Sequence, residues 1–169
     1  MGNTMTHMKF VENCLNSNDA VCYVADWFRR SGYQVQVPEQ KIAPTYQSRM
    51  KYADKGDLYV TEDGHNWRRV EVKRSSRDFT SARDWPYDNF FVCAKHSYDN
   101  AKIKPYCYII LNKKMTRMGV VKTETYKDWW VVEKHDKRYG KDYKQEFYVC
   151  DPKNVIWRSA VNEIGVQHG

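Results

Sequence analysis

Residues 56–74 of this 169-residue chain read GDLYVTEDGHNWRRVEVKR and decide the fold. Apolar and polar residues alternate on both sides of a central Asp63-Gly64 pair, which is typical of two antiparallel strands joined by a turn. The sequence predicts a strand over 57–61, a turn over 62–66 and a returning strand over 67–73. This hairpin is the strongest local structural signal in the chain.

The register of the hairpin decides which of its side chains lie together. A three- or five-residue loop centred on Gly64 places Asp57 directly opposite Glu71, and directly opposed residues project from the same face of a sheet. Lys73 shares that face because strand side chains repeat every two residues. A strict two-residue turn would instead place Asp57 opposite Val70. We expect the looser turn, which brings two carboxylates and one ammonium group together.

Such a group of charges has a chemical use. Two opposed carboxylates repel each other unless a positive charge compensates them. A hard divalent cation such as Mg²⁺, or Mn²⁺ in its place, binds carboxylate oxygens and keeps several waters. Lys73 adds positive charge where a phosphate or a hydrolytic water would bind. The trio Asp57, Glu71 and Lys73 therefore predicts metal-dependent hydrolysis of a phosphodiester.

The same residues carry a family resemblance. Asp57 at a strand start, thirteen intervening residues, then Glu71-Val72-Lys73 resembles the D…ExK motif of the PD-(D/E)XK nuclease superfamily, to which restriction endonucleases and Holliday-junction resolvases belong. The resemblance covers residues 18–111. It implies an α/β fold with an αβββαβ core, in which a central mixed sheet of about five strands is flanked by helices. It also implies that Asp57 and Glu71 bind Mg²⁺, that the Val72 carbonyl is a further ligand, and that Lys73 positions or deprotonates the attacking water.

Two departures from the family pattern concern the metal ligands. The leading proline of the motif is absent before Asp57. Some members carry an additional glutamate on the first helix, and that position falls near Val21, which cannot bind a metal. The nearby carboxylates are Asp19, Asp26 and Glu39, of which Glu39 is the best substitute because it follows a predicted strand.

Basic residues outside the motif indicate a polyanionic partner. The net charge is +7, and each phosphate that a Lys or Arg neutralises releases counterions. We expect this partner to be a nucleic acid, and DNA in particular. The candidate contacts follow either the motif or the strand at 90–94. They are Arg74, Arg77 and Arg83 after the motif, and Lys95 and His96 after the strand. A charged strand end without a ligand is the alternative for Lys95 and His96.

The rest of the chain predicts a single domain over 1–169, with a core over about 18–111 and a C-terminal elaboration over 112–169. An amphipathic helix from 18 or 19 to 31 buries one face and ends at Gly32. Its buried residues are Val21, Val24, Ala25 and Phe28. Further strands are predicted at 33–37, 90–94, 106–111, 120–121, 130–132 and 147–149, and a closing helix at 155–164.

Cysteine spacing and hydropathy limit the other function classes. The five cysteines include no C-x-x-C pair, so no zinc site is predicted. Cys22, Cys93 and Cys107 lie in apolar stretches and are predicted to be core thiols. No signal peptide or membrane span is predicted. The expected compartment is the reducing cytoplasm. A phage or mobile element is one expected source of the gene.

Taken together, these patterns predict a Mg²⁺-dependent DNA endonuclease that is structure-selective or weakly sequence-selective. The resemblance also makes a homodimer possible, since small enzymes of this kind often cut one strand with each subunit. The alternative is a non-catalytic nucleic-acid-binding or adaptor protein on the same fold.

Overall fold

The computed structural model describes residues 20–38, 57–135 and 142–160, and their secondary structure is mostly β. In chain order the elements are α1 Ala20–Arg30, β1 Gln34–Gln36, β2 Asp57–Thr61, β3 Arg68–Arg74, β4 Phe90–Ala94, α2 Lys95–Asn100, β5 Cys107–Leu111, β6 Arg117–Lys122, the 3₁₀ helix η1 Thr123–Asp128, β7 Trp130–His135, β8 Lys144–Cys150, the 3₁₀ helix η2 Pro152–Asn154 and β9 Ile156–Ser159.

The strands form two sheets. The larger sheet has six strands in the order β1-β2-β3-β5-β6-β9, and the smaller has three in the order β4-β8-β7. In the larger sheet β3 and β5 are parallel and every other neighbouring pair is antiparallel, so the sheet is mixed. The predicted α/β class with a mixed sheet is confirmed at this level of description.

Helix α1 covers one face of the larger sheet. Its buried stripe has the spacing that the sequence predicts, and Gly32, with φ +94°, ends the helix in a backbone conformation that favours glycine. Val24 and Phe28 pack in one core with Val70 and Val72 of β3. The apolar residues of β3 therefore point toward the helix.

The smaller sheet covers the opposite face. There Tyr108 and Ile110 of β5 share a second core with Phe90 of β4 and with Phe79 of the preceding loop. The two sheets approach closely at Gly119 of β6, where a Cβ atom would lie 2.8 Å from Cζ of Phe90. A side chain at this position would push the sheets apart.

A polar network shapes the turn between β2 and β3. Asp63 Oδ1 accepts hydrogen bonds from the backbone N–H groups of His65 (2.7 Å) and Asn66 (2.8 Å) and from the Thr61 hydroxyl (2.9 Å). The Gly64 N–H donates to Thr61 Oγ1, and Gly64 has φ +81°. The loop spans 62–67, one residue longer than the predicted turn over 62–66, but it is centred so that the register is the predicted one.

The strand Phe90–Ala94 has the predicted bounds and belongs to the smaller sheet. Two expectations about the remaining elements are wrong. The smaller sheet, not a second layer of helices, covers the back of the larger one. Residues 156–159 of the predicted closing helix are a strand, β9, which pairs with β6. Apolar residues spaced at 155, 156 and 160 fit a helix locally, but an unpaired edge of β6 selects the extended form.

The cysteines are only partly as expected. Cys93, Cys107 and Cys150 are free and buried. Cys22 is buried as predicted, but it is disulfide-bonded and is not a thiol. An apolar surrounding suits a half-cystine as well as a thiol, so the sequence context did not separate the two.

The cytoplasmic compartment stays a prediction. Among the described residues, no helix has the length and apolar character needed to cross a membrane.

Removing the carboxylate of Asp63 tests the turn network. The hydrogen bonds to Asn66, His65 and Thr61 hold the pKa of this carboxyl below its ordinary value of 3.8. Its stabilising effect is therefore complete above pH 4 and is lost as the pH falls further. Asp63→Ala should lower the melting temperature at pH 7, and the gap to wild type should narrow as the pH falls below about 4.

Thermal unfolding followed by circular dichroism between pH 7 and pH 2.5 measures this gap. Asp128→Ala, which removes an exposed carboxylate at the end of η1, is the control and should leave the melting temperature unchanged. A gap that stays constant over the whole range would contradict the assigned role of Asp63.

Candidate functional site

Asp57 and Glu71 form a register pair on the strands β2 and β3. The predicted opposition of the two residues is confirmed for the backbone. Only the backbone of Asp57 lies within the described part of the chain, whereas the Glu71 side chain is half-buried. The alternative register, with Asp57 opposite Val70, is excluded because Val70 pairs with Leu58.

Hydrogen bonds at the two ends of β3 show which way its backbone points. The Arg69 carbonyl accepts from the Tyr106 N–H, and the Ser75 N–H donates to the Leu111 carbonyl, so the odd-numbered residues of β3 direct their polar groups toward β5. Backbone direction alternates along a strand, so the N–H and C=O groups of Val72 point toward β2. Asp57 and Glu71 are therefore a non-hydrogen-bonded pair, in which the Cα atoms approach to about 4.5 Å and side chains are closest.

Lys73 lies on the same face as Glu71. Val70 and Val72 point into the core under α1, so Glu71 and Lys73 point the other way, toward the smaller sheet. The Lys73 ammonium nitrogen is 5.3 Å from the centre of the Phe91 ring of β4. This cation–π contact holds a half-buried lysine in place without neutralising its charge.

Two buried groups lie beside the acidic and basic residues. The Tyr108 hydroxyl donates a hydrogen bond to the Cys93 sulfur, and both residues interact electrostatically with Glu71. Burial raises the pKa of the Cys93 thiol to about 12 and also raises the pKa of the Tyr108 phenol. Burial therefore favours the neutral form of both groups.

A cavity of about 660 Å³ opens beside Lys73. Four cationic side chains and one carboxylate, Asp88, belong to its lining, together with aromatic rings from β4 and the loop before it. The cations are Lys73, Arg74, Arg77 and Lys134. In the part of the chain that the structure describes, none of these four forms an ion pair. Cations therefore outnumber carboxylates four to one in the cavity lining, which favours an anionic ligand.

Two of the cavity cations are held by contacts of their own. Arg74 Nε donates to the Lys113 carbonyl at 2.9 Å, and the Arg77 guanidinium carbon lies 4.7 Å from the centre of the Tyr87 ring. Lys134, from β7, was missed in the sequence because it lies sixty residues beyond the motif on a strand of the other sheet. Only the packing of the two sheets reveals that it joins the site.

The other predicted contacts are not brought to this cavity. Lys95 forms an ion pair with Asp99 at 2.6 Å, and His96 Nδ1 lies 3.2 Å from Gln145 Nε2. Arg83 is exposed on the loop before β4 and does not line the cavity. Glu39, the proposed additional ligand, and Asp19 lie outside the described residues. Asp26, the other substitute, forms an ion pair with Arg30.

The candidate donors between β2 and β3 are oxygen atoms, and oxygen donors suit a hard cation such as Mg²⁺. They are the Glu71 carboxylate and the Val72 carbonyl, which points toward β2, and the backbone of Asp57 is in register with Glu71. Within residues 20–38, 57–135 and 142–160, no three His, Cys, Asp or Glu side chains cluster as a metal site. Few protein ligands suit an ion that keeps several waters, whereas a structural zinc site requires four.

Comparison with known proteins identifies no relative. No protein-family model, no curated protein and no solved structure matches this chain.

Arg77 and Arg83 provide a matched pair for testing the cavity. Both are exposed arginines on the loop between β3 and β4, but only Arg77 lines the cavity. If the cavity contacts phosphates, Arg77→Gln should reduce the slope of log affinity against log salt by about one unit, because one fewer counterion is released. Arg83→Gln should leave the slope as in wild type.

Fluorescence anisotropy with a labelled oligonucleotide, titrated at several salt concentrations in EDTA, measures both slopes. Equal slopes for the two variants would show that the cavity is not where phosphates bind.

Proposed function

We propose that this protein is a Mg²⁺-dependent nuclease that hydrolyses phosphodiester bonds, with DNA as the expected substrate. The observation that carries the proposal is the β2–β3 register, which sets Asp57 opposite Glu71 while Lys73 stands on the same face as Glu71. The cavity beside Lys73 adds cations suited to phosphate groups.

The fold supports the same proposal in its central part. The strand that carries Glu71 and Lys73 has an antiparallel neighbour, β2, and a parallel neighbour, β5, and α1 packs on its apolar face. This arrangement is similar to the αβββαβ core of restriction-endonuclease-like enzymes. The smaller sheet has no counterpart in that description, so membership of the PD-(D/E)XK superfamily is part of the proposal.

In the proposed reaction, water adds to phosphorus, the bond to the leaving oxygen breaks, and that oxygen takes a proton. Glu71, Asp57 and the Val72 carbonyl would hold the Mg²⁺ ion. When bound, the ion supplies Lewis-acid activation of a water and of the phosphoryl oxygens. Lys73 contributes a fixed ammonium group that orients the attacking water or stabilises charge that develops on the phosphate. Arg77 and Lys134 bind neighbouring phosphates and keep the substrate in place.

A non-catalytic nucleic-acid-binding protein is the second candidate. It is favoured by the cavity lining, whose four cations suit phosphate groups whether or not a metal ion is bound. Such a protein would use the same cavity cations without hydrolysis. The first proposal also includes three finer points. The enzyme cuts inside a strand as an endonuclease, its cleavage is structure-selective or weakly sequence-selective, and it acts as a homodimer.

Lys73→Ala tests the enzyme hypothesis against binding alone. Purified wild-type protein should cut plasmid, branched or single-stranded DNA with Mg²⁺ or Mn²⁺, and EDTA should stop the reaction. Lys73→Ala should reduce the cleavage rate by at least about 100-fold, the usual loss when a preorganised charge at the transition state is removed. Its affinity for the same DNA in EDTA should fall only a few-fold because three other cavity cations remain.

Two further variants complete this experiment. Lys153→Ala removes an exposed lysine on η2, far along the chain from the motif, and should cut as wild type does. Glu71→Gln should weaken Mn²⁺ binding measured by calorimetry, a readout that does not depend on activity. If wild type and Lys73→Ala both bind but neither cuts any of these substrates, the nuclease proposal fails and the non-catalytic candidate is supported.

A further inference from the structure

The cavity beside Lys73 combines two kinds of chemistry. Its lining includes the four cations and the rings of Trp85, Tyr87, Phe90 and Phe91. Phosphates need only the cations. Phe90 and Trp85 pack in the second core, but the Tyr87 ring lies outside both cores, and an exposed ring beside cations is suited to a flat, apolar ligand group.

Tyr87 is the most accessible of these rings. It is 42% exposed and is not part of either buried core. Trp85 contacts it edge-on, with ring centres 5.6 Å apart, and the Arg77 guanidinium lies over it. Arg77, Tyr87 and Trp85, here called the Tyr87 platform, are therefore in contact with one another before a ligand binds, which lowers the entropic cost of binding a further ring.

We infer that the cavity binds an unpaired nucleotide, with its base stacked on the Tyr87 platform and its phosphate held by Arg74, Arg77 or Lys134. This inference rests on the proposed function and specifies its substrate as single-stranded nucleic acid or a frayed or flapped end. A base inside a duplex offers its edges in the grooves but not its face, so it cannot stack on Tyr87. A volume of about 660 Å³ lies within the range for small-ligand cavities and admits one nucleotide.

The position of Lys73 explains why this binding leads to the reacting centre. Lys73 belongs to the cavity lining and also to the proposed catalytic trio, and its ammonium group faces Phe91 of the same wall. A base bound in the cavity brings the phosphodiester attached to it close to Lys73, on the strand that also carries Glu71. The cavity therefore selects the substrate, and the carboxylates and Lys73 carry out the reaction.

Binding of fluorescent oligonucleotides in EDTA, where no cleavage occurs, tests the inference. The probes are a 15-nucleotide single-stranded DNA, an RNA of the same sequence, and a blunt duplex of that sequence. Wild type should bind the single-stranded DNA or RNA at least about 10-fold more tightly than the duplex, because a duplex base must first be unstacked. The two single-stranded probes show whether the 2′-hydroxyl is accepted.

Tyr87→Leu removes the aromatic face but keeps an apolar side chain. It should weaken binding of the preferred single strand by about 5- to 100-fold, the range for loss of one base–aromatic stack. Tyr87→Phe should bind as wild type does. Tyr126→Leu is the matched control: Tyr126 is 48% exposed on η1 and does not line the cavity, so its loss should have no effect. Melting temperatures within a few degrees of wild type confirm that each variant folds.

The outcomes separate this inference from the proposed function. Equal binding by Tyr87→Leu and Tyr126→Leu, or duplex binding as tight as single-strand binding, overturns the inference, even if Mg²⁺-dependent cleavage occurs. Tyr87-dependent binding of single strands supports the inference, and if no substrate is then cut, only the nuclease proposal fails.

Discussion

The register of one hairpin is the constraint on which the candidate site depends. Side chains of a strand alternate between its two faces, so a shift of one residue would move Glu71 and Lys73 into the apolar core and turn Val70 and Val72 to the other side. The Asp63 carboxylate and the positive φ of Gly64 determine this register. A polar turn at the surface therefore decides which chemistry the opposite end of the strands can perform.

The same alternation explains how the fold separates its two cores. The valines of β3 pack under α1, and the charged residues between them face the smaller sheet. Burying a charge is costly, so a strand with Glu71 and Lys73 on one face needs an open or polar region there. The cavity between β3, β4 and β7 provides that region, and it gathers cations from parts of the chain that are far apart in sequence.

Local patterns in the sequence predicted the parts of the fold that depend on near neighbours. The buried stripe of α1, the bounds of β2 and β4, and the opposition of Asp57 and Glu71 all follow from spacing within about fifteen residues. No local spacing in the sequence indicates which distant strands pair. The apolar residues at 155, 156 and 160 are spaced as in a helix, and only pairing with β6 makes residues 156–159 a strand. Lys134 reaches the cavity for the same reason, through sheet packing that spacing does not encode.

The candidate site divides in a similar way. Glu71, Val72 and Lys73 belong to one short motif, so sequence alone identified them as a group. The basic residues are different: Arg74 and Arg77 line the cavity, whereas Lys95 is neutralised by Asp99 and Arg83 lies elsewhere on the surface. Charge and proximity in sequence do not distinguish these cases, because the direction of each side chain depends on the loop that carries it.

The central claim is that Asp57 and Glu71 hold one divalent ion beside Lys73. A crystal structure of the protein soaked in Mn²⁺, with anomalous scattering measured near the manganese edge, tests it most directly. We expect one peak between β2 and β3, roughly 2.0–2.3 Å from carboxylate oxygens of both residues and close to the Val72 carbonyl. Carboxylates on opposite sides of the sheet, or no peak between them, would contradict it.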